Sequence, residues 1–428
     1  MLKQFYQKLK NFIWLSPTLY SIGAFILAVS MILIDHAFFQ DSADFFPEVL
    51  LVEVELAQEV LGVIAGSLLT MTTITFSITM VVLTTFSSQF SPRVLQNFIR
   101  DSITVRVLGV FVSGFVYSIF SLLFMQKNTV ENHVVTASIG VLIATICIGF
   151  FIYFIHHVAS WVQVSNLIDL LSKDVIETIN SRLNILENND YTSLSSVKIP
   201  IAKESSKVIE VKNERFGYLQ FINEEELYDL AKNNGYRIEV MPLVGSFLPE
   251  NETVMRVFHP NSDHALLKEM FTVGPSKTAN QDIEFGIQKI TEIALRAVSP
   301  GINDPDTAIE CIQHLGMCLK KVSKYDGVSL VYKHDGKVVM SIPQKPFEDL
   351  LKAALYQVSH YAQKDISIIT VILEILCEIA EDTTWQIKQK VSQFSKYVVE
   401  KINHQSLTDY DKELLLIHQR RLQSIVGD

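Results

Sequence analysis

The chain has 428 residues, of which 49% are hydrophobic and 19% charged, and it carries a formal net charge of -10 at pH 7. That acidic balance argues against a nucleic-acid surface, which needs a basic face. The cysteines Cys147, Cys311, Cys318 and Cys377 argue against a disulfide scaffold or a Cys-based zinc site. Cys311 and Cys318 share a predicted helix and stand about 10 Å apart along it, beyond disulfide reach.

Hydrophobic residues are concentrated in the amino-terminal third. Four long apolar stretches run over Phe12–Ile34, Val60–Phe86, Ile103–Met125 and Val134–Val158. Each reaches the roughly 20 helical residues that a bilayer's hydrocarbon core requires, and none carries a charge in its interior, Arg106 being counted with the preceding loop. The pattern predicts an integral protein of the lipid bilayer, with residues 1–160 as a four-helix transmembrane domain. The amino-terminal arm holds Lys3, Lys8 and Lys10, and the second loop holds Arg93, Arg100 and Arg106. The first loop holds Asp35, Asp41, Asp44, Glu48, Glu53 and Glu55 without any Lys or Arg. Positive-inside bias then predicts a multi-pass protein of the cell inner membrane with both termini and everything after the fourth span cytoplasmic. No small-residue cleavage pattern follows the first span, which reads as a retained helix and not a signal peptide.

The second span is dense in hydroxyls. At 100° per residue, Glu59, Gly62, Gly66, Thr70, Thr73, Ser77, Thr84 and Ser88 fall on one face, and Thr72, Thr75 and Thr79 form a shorter stripe roughly opposite. Two readings stand side by side. Hydroxyls below an outer carboxylate suit a water-lined path for cations. The Gly62-Val-Ile-Ala-Gly66 spacing equally suits a close helix–helix seam. The two are compatible in a homo-oligomer whose helices pack around an axis. The acidic first loop has its own plain explanation, since external segments are often acidic merely because bases are excluded from them. Ser91-Pro92 in the second loop is a helix-start signal. Val94, Leu95, Phe98 and Ile99 would face the membrane while Arg93 and Arg100 reach headgroup phosphates, making an interfacial elbow. His156-His157 closes the fourth span and offers a pH-sensitive pair, set against the plain reading that interfacial His without a partner is usually inert.

Residues 161–187 read as a polar helical extension of the fourth span, and Asn188–Lys198 as a Ser/Asn-rich linker. Residues 188–278 read as a small β-rich module with strands at Lys207–Val211, Gly217–Phe221, Tyr236–Val240 and Thr253–Phe258. A helix over Asn223–Asn234 lies among them, started by Asn223…Glu226 and ended by Gly235. The run Val244–Val254 is similar to the Gly-bearing hairpin of biotinyl/lipoyl-type β-sandwiches. Asn251 stands at its second Gly position, where Asn also tolerates left-handed backbone, and no modifiable Lys stands at the tip. Residues 279–428 read as a mainly helical domain, with helices near Asp282–Val298, Thr307–Val322, Pro346–Ala362, Ile366–Ala380, Thr384–Ile402 and Thr408–Ile425. One hairpin over Leu330–Ser341 turns at Asp335-Gly336. The predicted class is thus membrane all-α followed by an α+β cytoplasmic region.

The string Ala294-Leu-Arg-Ala-Val-Ser-Pro-Gly-Ile-Asn-Asp-Pro-Asp-Thr-Ala308 is a helix stop, a Pro-Gly turn, and a new helix capped by Asp304 with Pro305 in its first turn. Together with Thr75-Phe-Ser-Ile-Thr79 and Ser87-Ser-Gln-Phe-Ser-Pro-Arg93, it resembles a bacterial family of predicted membrane proteins, domain of unknown function 2254. The resemblance runs from the first span to about residue 400. It implies a four-span membrane half and a cytoplasmic half, and supplies no activity or substrate.

The corner formed by Arg296, Ser299, Gly301, Asn303, Asp304, Asp306 and Thr307 is a candidate ligand site. Backbone N–H groups after Gly301 and at the helix start suit an anion, with Arg296 nearby, while Asp304 and Asp306 instead offer oxygen to a cation. A rigid interhelical corner is the plain structural reading. The sequence contains no Walker A, no Gly-x-Ser-x-Gly, no His-Glu-x-x-His and no Rossmann fingerprint. His259, His264 and His314 lack metal spacing. No enzyme activity, cofactor or metal is predicted. Two functions of different class remain: an oligomeric ion channel or transport protein, and a membrane-anchored scaffold or sensor whose cytoplasmic half binds a partner.

Overall fold

The computed structural model of the chain describes residues 15–38, 47, 50–89, 102–125, 133–161, 163–188, 192–196, 208–258, 264–324, 326–402 and 407–427. It divides into two compact units, Met1–Gln163 and Val164–Asp428.

The first unit contains, in chain order, α1 (Leu15–Phe38), β1 (Val52–Glu53), α2 (Val54–Gln89), α3 (Ser102–Phe124), β2 (His133–Val134) and α4 (Thr136–Trp161). All four helices are long and apolar enough to cross a membrane, as the span lengths predicted. Arg106, counted with a loop on sequence, lies inside α3. The elbow at Ser91–Pro92, with Arg93 and Arg100, falls outside the described residues.

Within this unit α3 is central, packing along α1, α2 and α4, while α2 also packs on α4. Glycines set the closeness of these contacts. A Cβ on Gly109 would lie 3.0 Å from the α-carbon of Pro17, so α1 and α3 touch nearly backbone to backbone. Gly114 accommodates Leu68, and Gly140 accommodates Leu61, whose Cδ2 would be 2.6 Å from an added Cβ. Lipid is as apolar as these side chains, so such close van der Waals contact is what holds helices together in a membrane. The short β1–β2 ladder pairs Val52 with Val134, which brings the loops after the first and third spans to the same end of the unit.

The second unit begins with α5 (Val164–Asn188), which starts afresh after α4 ends at Trp161. Its apolar stripe of Leu167, Ile168, Leu171, Val175 and Ile179 is buried against two helices of the same unit, α8 (Ile283–Ala297) and α9 (Pro305–Val322). The polar extension read on sequence is therefore an amphipathic helix of the carboxy-terminal unit. Its 3.6-residue apolar stripe requires such a partner.

The strands are β3 (Thr192–Ser195), β4 (Val208–Lys212), β5 (Gly217–Ile222), β6 (Arg237–Val240), β7 (Phe247–Leu248), β8 (Thr253–Phe258), β9 (Phe271–Gly274), β10 (Ser329–His334) and β11 (Lys337–Pro343). Between β5 and β6 lies α6 (Glu224–Asn234), and α7 (His264–Lys268) precedes β9. Six strands form one sheet in the order β3-β10-β11-β6-β8-β4, and three form another in the order β7-β5-β9. Only β11–β6 pairs parallel in the larger sheet.

Two sequence expectations change here. Thr192–Ser195, inside the predicted linker, is an edge strand on β10. Its Thr-Ser-Leu-Ser run has no apolar alternation; the backbone pairs with β10 while Leu194 packs against the core and the Thr192 hydroxyl donates to the Ile185 carbonyl. The predicted Val244–Val254 hairpin does not form, since Phe247–Leu248 pairs with β5 whereas β8 pairs with β4 and β6. Asn251, at φ 62°, turns the chain from one sheet to the other. The β10–β11 hairpin, with Asp335 and Gly336 at φ 50° and 71°, forms as predicted. It joins the sheet built by the preceding segment, so residues 188–278 and 279–428 share one core. Leu219, Leu227, Ile238, Val257, Leu330 and Met340 meet in that core.

The remaining helices are α10 (Phe347–Tyr361), α11 (Ile366–Glu381), α12 (Trp385–Glu400) and α13 (Asp409–Val426). Predicted caps are present at Asn223 and Asp304, Thr408 also caps its helix through a capping box with Asp411, and Gly235 ends α6 in left-handed backbone.

Candidate functional site

The second span sorts its residues by face. Leu61, Ile64, Ala65, Leu68, Thr75 and Val82 are buried against neighbouring helices. Glu59, Gly62, Gly66, Thr70, Thr73, Ser77 and Thr84 are all exposed. The structure therefore brings seven of the eight predicted residues onto one uncovered face, the side chain of Ser88 lying outside the described residues. Among the described residues nothing stands within 4 Å of a Cβ added to Gly62 or Gly66, so none of them uses this small-residue seam. The opposite stripe turns inward, and the buried Thr75 hydroxyl has no hydrogen-bond partner among the described residues.

Every described hydroxyl on the uncovered face donates to its own helix four residues back. Thr70 donates to the Gly66 carbonyl at 2.9 Å, Thr73 to Leu69 at 2.9 Å, Ser77 to Thr73 at 2.9 Å and Thr84 to Met80 at 2.9 Å. Such back-bonding satisfies the proton within the helix. What remains outward is the oxygen lone pairs, so the face offers acceptors rather than donors.

Sequence reasoning missed a polar clamp beside this helix. Asp35, counted among external loop acids, is fully buried. It accepts from Val135 N at 2.9 Å and Thr136 N at 3.2 Å, and the Thr136 hydroxyl donates to it as well. Tyr117 donates its hydroxyl to the Thr136 carbonyl at 2.9 Å, and Gln58 donates to the Met125 carbonyl at 2.9 Å. Asp35 thus closes the N-terminus of α4, whose first N–H groups have no partner within the helix. The available signal was an acid at the end of one span facing a Thr-led start of another.

The 299–307 corner is internally bonded. Ile302 N and Asn303 N both donate to the Ser299 carbonyl, Asp304 N donates to the Ala297 carbonyl, and Thr307 N donates to Asp304 Oδ1. Asn303 sits in left-handed backbone at φ 52°, and Pro305 has no N–H. The backbone N–H groups of Ile302, Asn303, Asp304 and Thr307 are thus taken by the turn, while the buried Arg296 Nε has no hydrogen-bond partner among the described residues. The Ser299 hydroxyl donates to the Arg296 carbonyl at 2.6 Å, and Gly301, Asn303 and Asp306 are exposed. The structure brings these residues together as a corner, with its hydrogen bonds turned inward.

A second buried polar centre holds α5 to the sheet. Arg182 and Glu224 are 2.5 Å apart with side chains 5% and 6% exposed, and Tyr332 donates its hydroxyl to Glu224 at 2.9 Å. Nearby, Asp282 caps α8 by accepting from Phe285 N at 3.0 Å through Oδ1, while Oδ2 is buried without a partner among the described residues. Burial pushes this carboxyl up to about 6. Among the described residues no group of three or more His, Cys, Asp or Glu is arranged to hold a metal.

Four membrane-length helices followed by an α+β unit define a multi-spanning membrane protein. The chain belongs to the family described as predicted membrane protein (DUF2254), which it matches over residues 10–378. It is 28% identical over 347 residues to the uncharacterized protein Rv1290c of Mycobacterium tuberculosis, and equally to the uncharacterized protein Mb1321c of Mycobacterium bovis. Each match covers 76% of this chain and 64% of the relative, so the chain spans less than two thirds of the length of these curated relatives. No solved structure matches it.

Proposed function

We propose that this protein is a homo-oligomeric ion channel or transport protein of the inner membrane, with both termini cytoplasmic, α2 lining the pathway and the carboxy-terminal unit assembling or gating it. The observation that carries the reading is the Glu59–Thr84 face, which holds small and hydroxyl groups along the span and is left exposed by the described residues of its own subunit. Four helices filled by Leu61, Tyr117 and their neighbours make a poor pore by themselves. A path therefore requires several copies with these faces toward a common axis. Hydroxyl oxygens with their protons already committed replace the water around a cation better than that around an anion. The carboxylate of Glu59 at the mouth raises the local cation concentration.

Ion flux across liposomes containing only purified protein tests this. Cation flux is expected, reduced in Glu59→Gln most strongly at low ionic strength, where screening is weakest, and reduced further in Thr73→Val and Ser77→Val. Normal flux in those variants, or a stable monomer in detergent with no flux, would remove α2 as the lining.

The second reading is a membrane-anchored scaffold or sensor, and one observation favours it. The hydroxyls on this face are satisfied within the helix and so tolerate lipid or a packed neighbour without water. On that reading Glu59→Gln changes nothing, while Gly62→Leu and Gly66→Leu break assembly.

A further inference from the structure

We infer that Met80 and Val81 form a hydrophobic gate in the exposed face of α2, an apolar belt that stops cations while it is dry. The inference rests on the channel reading and names what regulates passage along that face.

The observation is a break in spacing. From Glu59 the small and hydroxyl groups recur as Gly62, Gly66, Thr70, Thr73 and Ser77, at steps of three or four residues, and Ser88 follows Thr84 at four. Those steps keep successive groups on one helix face. Between Ser77 and Thr84 the step is seven, two turns of helix or about 10 Å. Where the next group is due stand Met80 and Val81. At about 100° per residue they flank, on opposite sides, the line that joins Ser77 to Thr84. Both point outward with the rest of the face, Met80 at 47% exposure and Val81 at 65%, while the next residue, Val82, is buried.

Other apolar residues on this side do not interrupt the lining. Val63 holds the same angular position as Val81, 18 residues away and so about five turns up the helix, and it is 70% exposed. Gly62 adjoins it and Gly66 follows, so the run of small groups continues past it. Only at Met80-Val81 does a turn of the Glu59–Ser88 face lack both a small residue and a hydroxyl.

The consequence is a gap in what replaces an ion's water. Ser77 and Thr84 each present a hydroxyl oxygen whose proton is committed to the carbonyl of Thr73 or Met80. Across the belt a thioether and an isopropyl group face the path, and neither compensates a cation for the water it sheds. A narrow passage walled in this way empties of water and blocks ions without a solid plug. Met80 is unbranched and adaptable, so its rotation, with a small separation of the copies, re-wets the belt while α2 keeps its backbone. The span runs Val54–Thr85. On the proposed topology Glu59 therefore gathers cations at the outer end and the belt admits them near the cytoplasmic end.

The test is potassium efflux from liposomes that contain the full chain and are loaded with potassium chloride, with a proton carrier present to balance charge. Val81→Thr keeps the shape and adds a hydroxyl that bonds back along the helix as its neighbours do. Met80→Gln keeps the length and adds an amide. Each is expected to raise efflux at least about tenfold, the size of one net hydrogen bond gained by the ion, including the case of a silent parent. Val81→Leu should lower efflux. Val63→Thr, the same exchange at the same angle outside the belt, should leave it at the parent's level. Gel filtration checks that each variant keeps the parent's elution position, and Met80→Gln carries the test should Val81→Thr fail to assemble. Efflux from the parent with Val81→Thr and Met80→Gln both at its level, or with Val63→Thr raising it equally, overturns the gate and leaves the channel reading standing. No efflux from the parent or from any variant removes the channel reading and the gate with it.

Discussion

Asp35 on the first span accepts the backbone N–H groups of Val135, at 2.9 Å, and Thr136, at 3.2 Å, on the fourth. One buried carboxylate therefore joins two spans that are separated by a hundred residues of chain. Replacing it with Ala leaves two helix N–H groups without partners, each costing about 1–3 kcal/mol. Asp35→Ala is expected to lower unfolding stability in mixed micelles by about 3 kcal/mol, with Asp35→Asn losing less because one amide oxygen still accepts. Denaturant titration of the purified variants checks this, and equal stability of Ala and parent would show that the clamp carries no weight.

The glycines of the first unit separate into two groups with opposite expectations. A Cβ on Gly140 would meet Leu61 at 2.6 Å and one on Gly114 would meet Leu68 at 2.9 Å. Gly140→Val and Gly114→Val should therefore overpack the helix contacts, at about 1–3 kcal/mol each. A Cβ on Gly62 or Gly66 has no described neighbour within 4 Å, so Gly62→Leu and Gly66→Leu should leave the monomer's melting temperature unchanged whatever they do to assembly. Thermal melts at concentrations where only monomer is present separate the two groups.

Arg182 and Glu224 form a buried pair, and such pairs punish the loss of one member more than the loss of both. Arg182→Met leaves Glu224 charged and buried and should cost about 3–5 kcal/mol. The double change Arg182→Met with Glu224→Gln should cost clearly less, because the uncompensated charge is gone and Tyr332 keeps an acceptor. A double-mutant cycle by chemical denaturation measures the difference. Additive losses would contradict it.

Asp282 makes stability pH-dependent. Its carboxyl, raised by burial from an ordinary 3.8 to about 6, keeps its proton in the folded state over a window where the unfolded chain has released it. The contribution is fully present below pH 3.8 and is lost as pH rises through about 6. At neutral pH the folded state holds the buried charge at a cost of up to about 3 kcal/mol. Asp282→Asn keeps an acceptor for Phe285 N and should abolish the downward slope of stability between these pH values. It should also be the more stable protein at pH 7.5, less whatever the unpartnered amide nitrogen costs. An unchanged slope in the variant would assign the pH dependence elsewhere.

The sequence by itself determined the four spans, because apolar runs of membrane length without interior charge have one stable environment. It also determined α6 with its Asn223 and Gly235 ends, the Asp335-Gly336 turn and the Asp304 cap. These depend on local backbone chemistry that a few adjacent residues settle. Sequence also put Glu59, Gly62, Gly66, Thr70, Thr73, Ser77 and Thr84 on one face, since helical periodicity fixes angle regardless of context. Only the tertiary structure decided which way that face points. Packing against Gly114 and Gly140 buries the opposite side of α2, and no periodicity distinguishes a seam inside a subunit from a face left open. Asp35 and Thr136, and Arg182 and Glu224, lie far apart in the chain, so their partnerships are absent from any local pattern. Ser193 and Leu194 became strand, and Val244–Val254 failed to become a hairpin, for the same reason. Edge pairing is set by the strand that arrives alongside: β10, more than a hundred residues away, for β3, and β5, in a different sheet from β8, for β7.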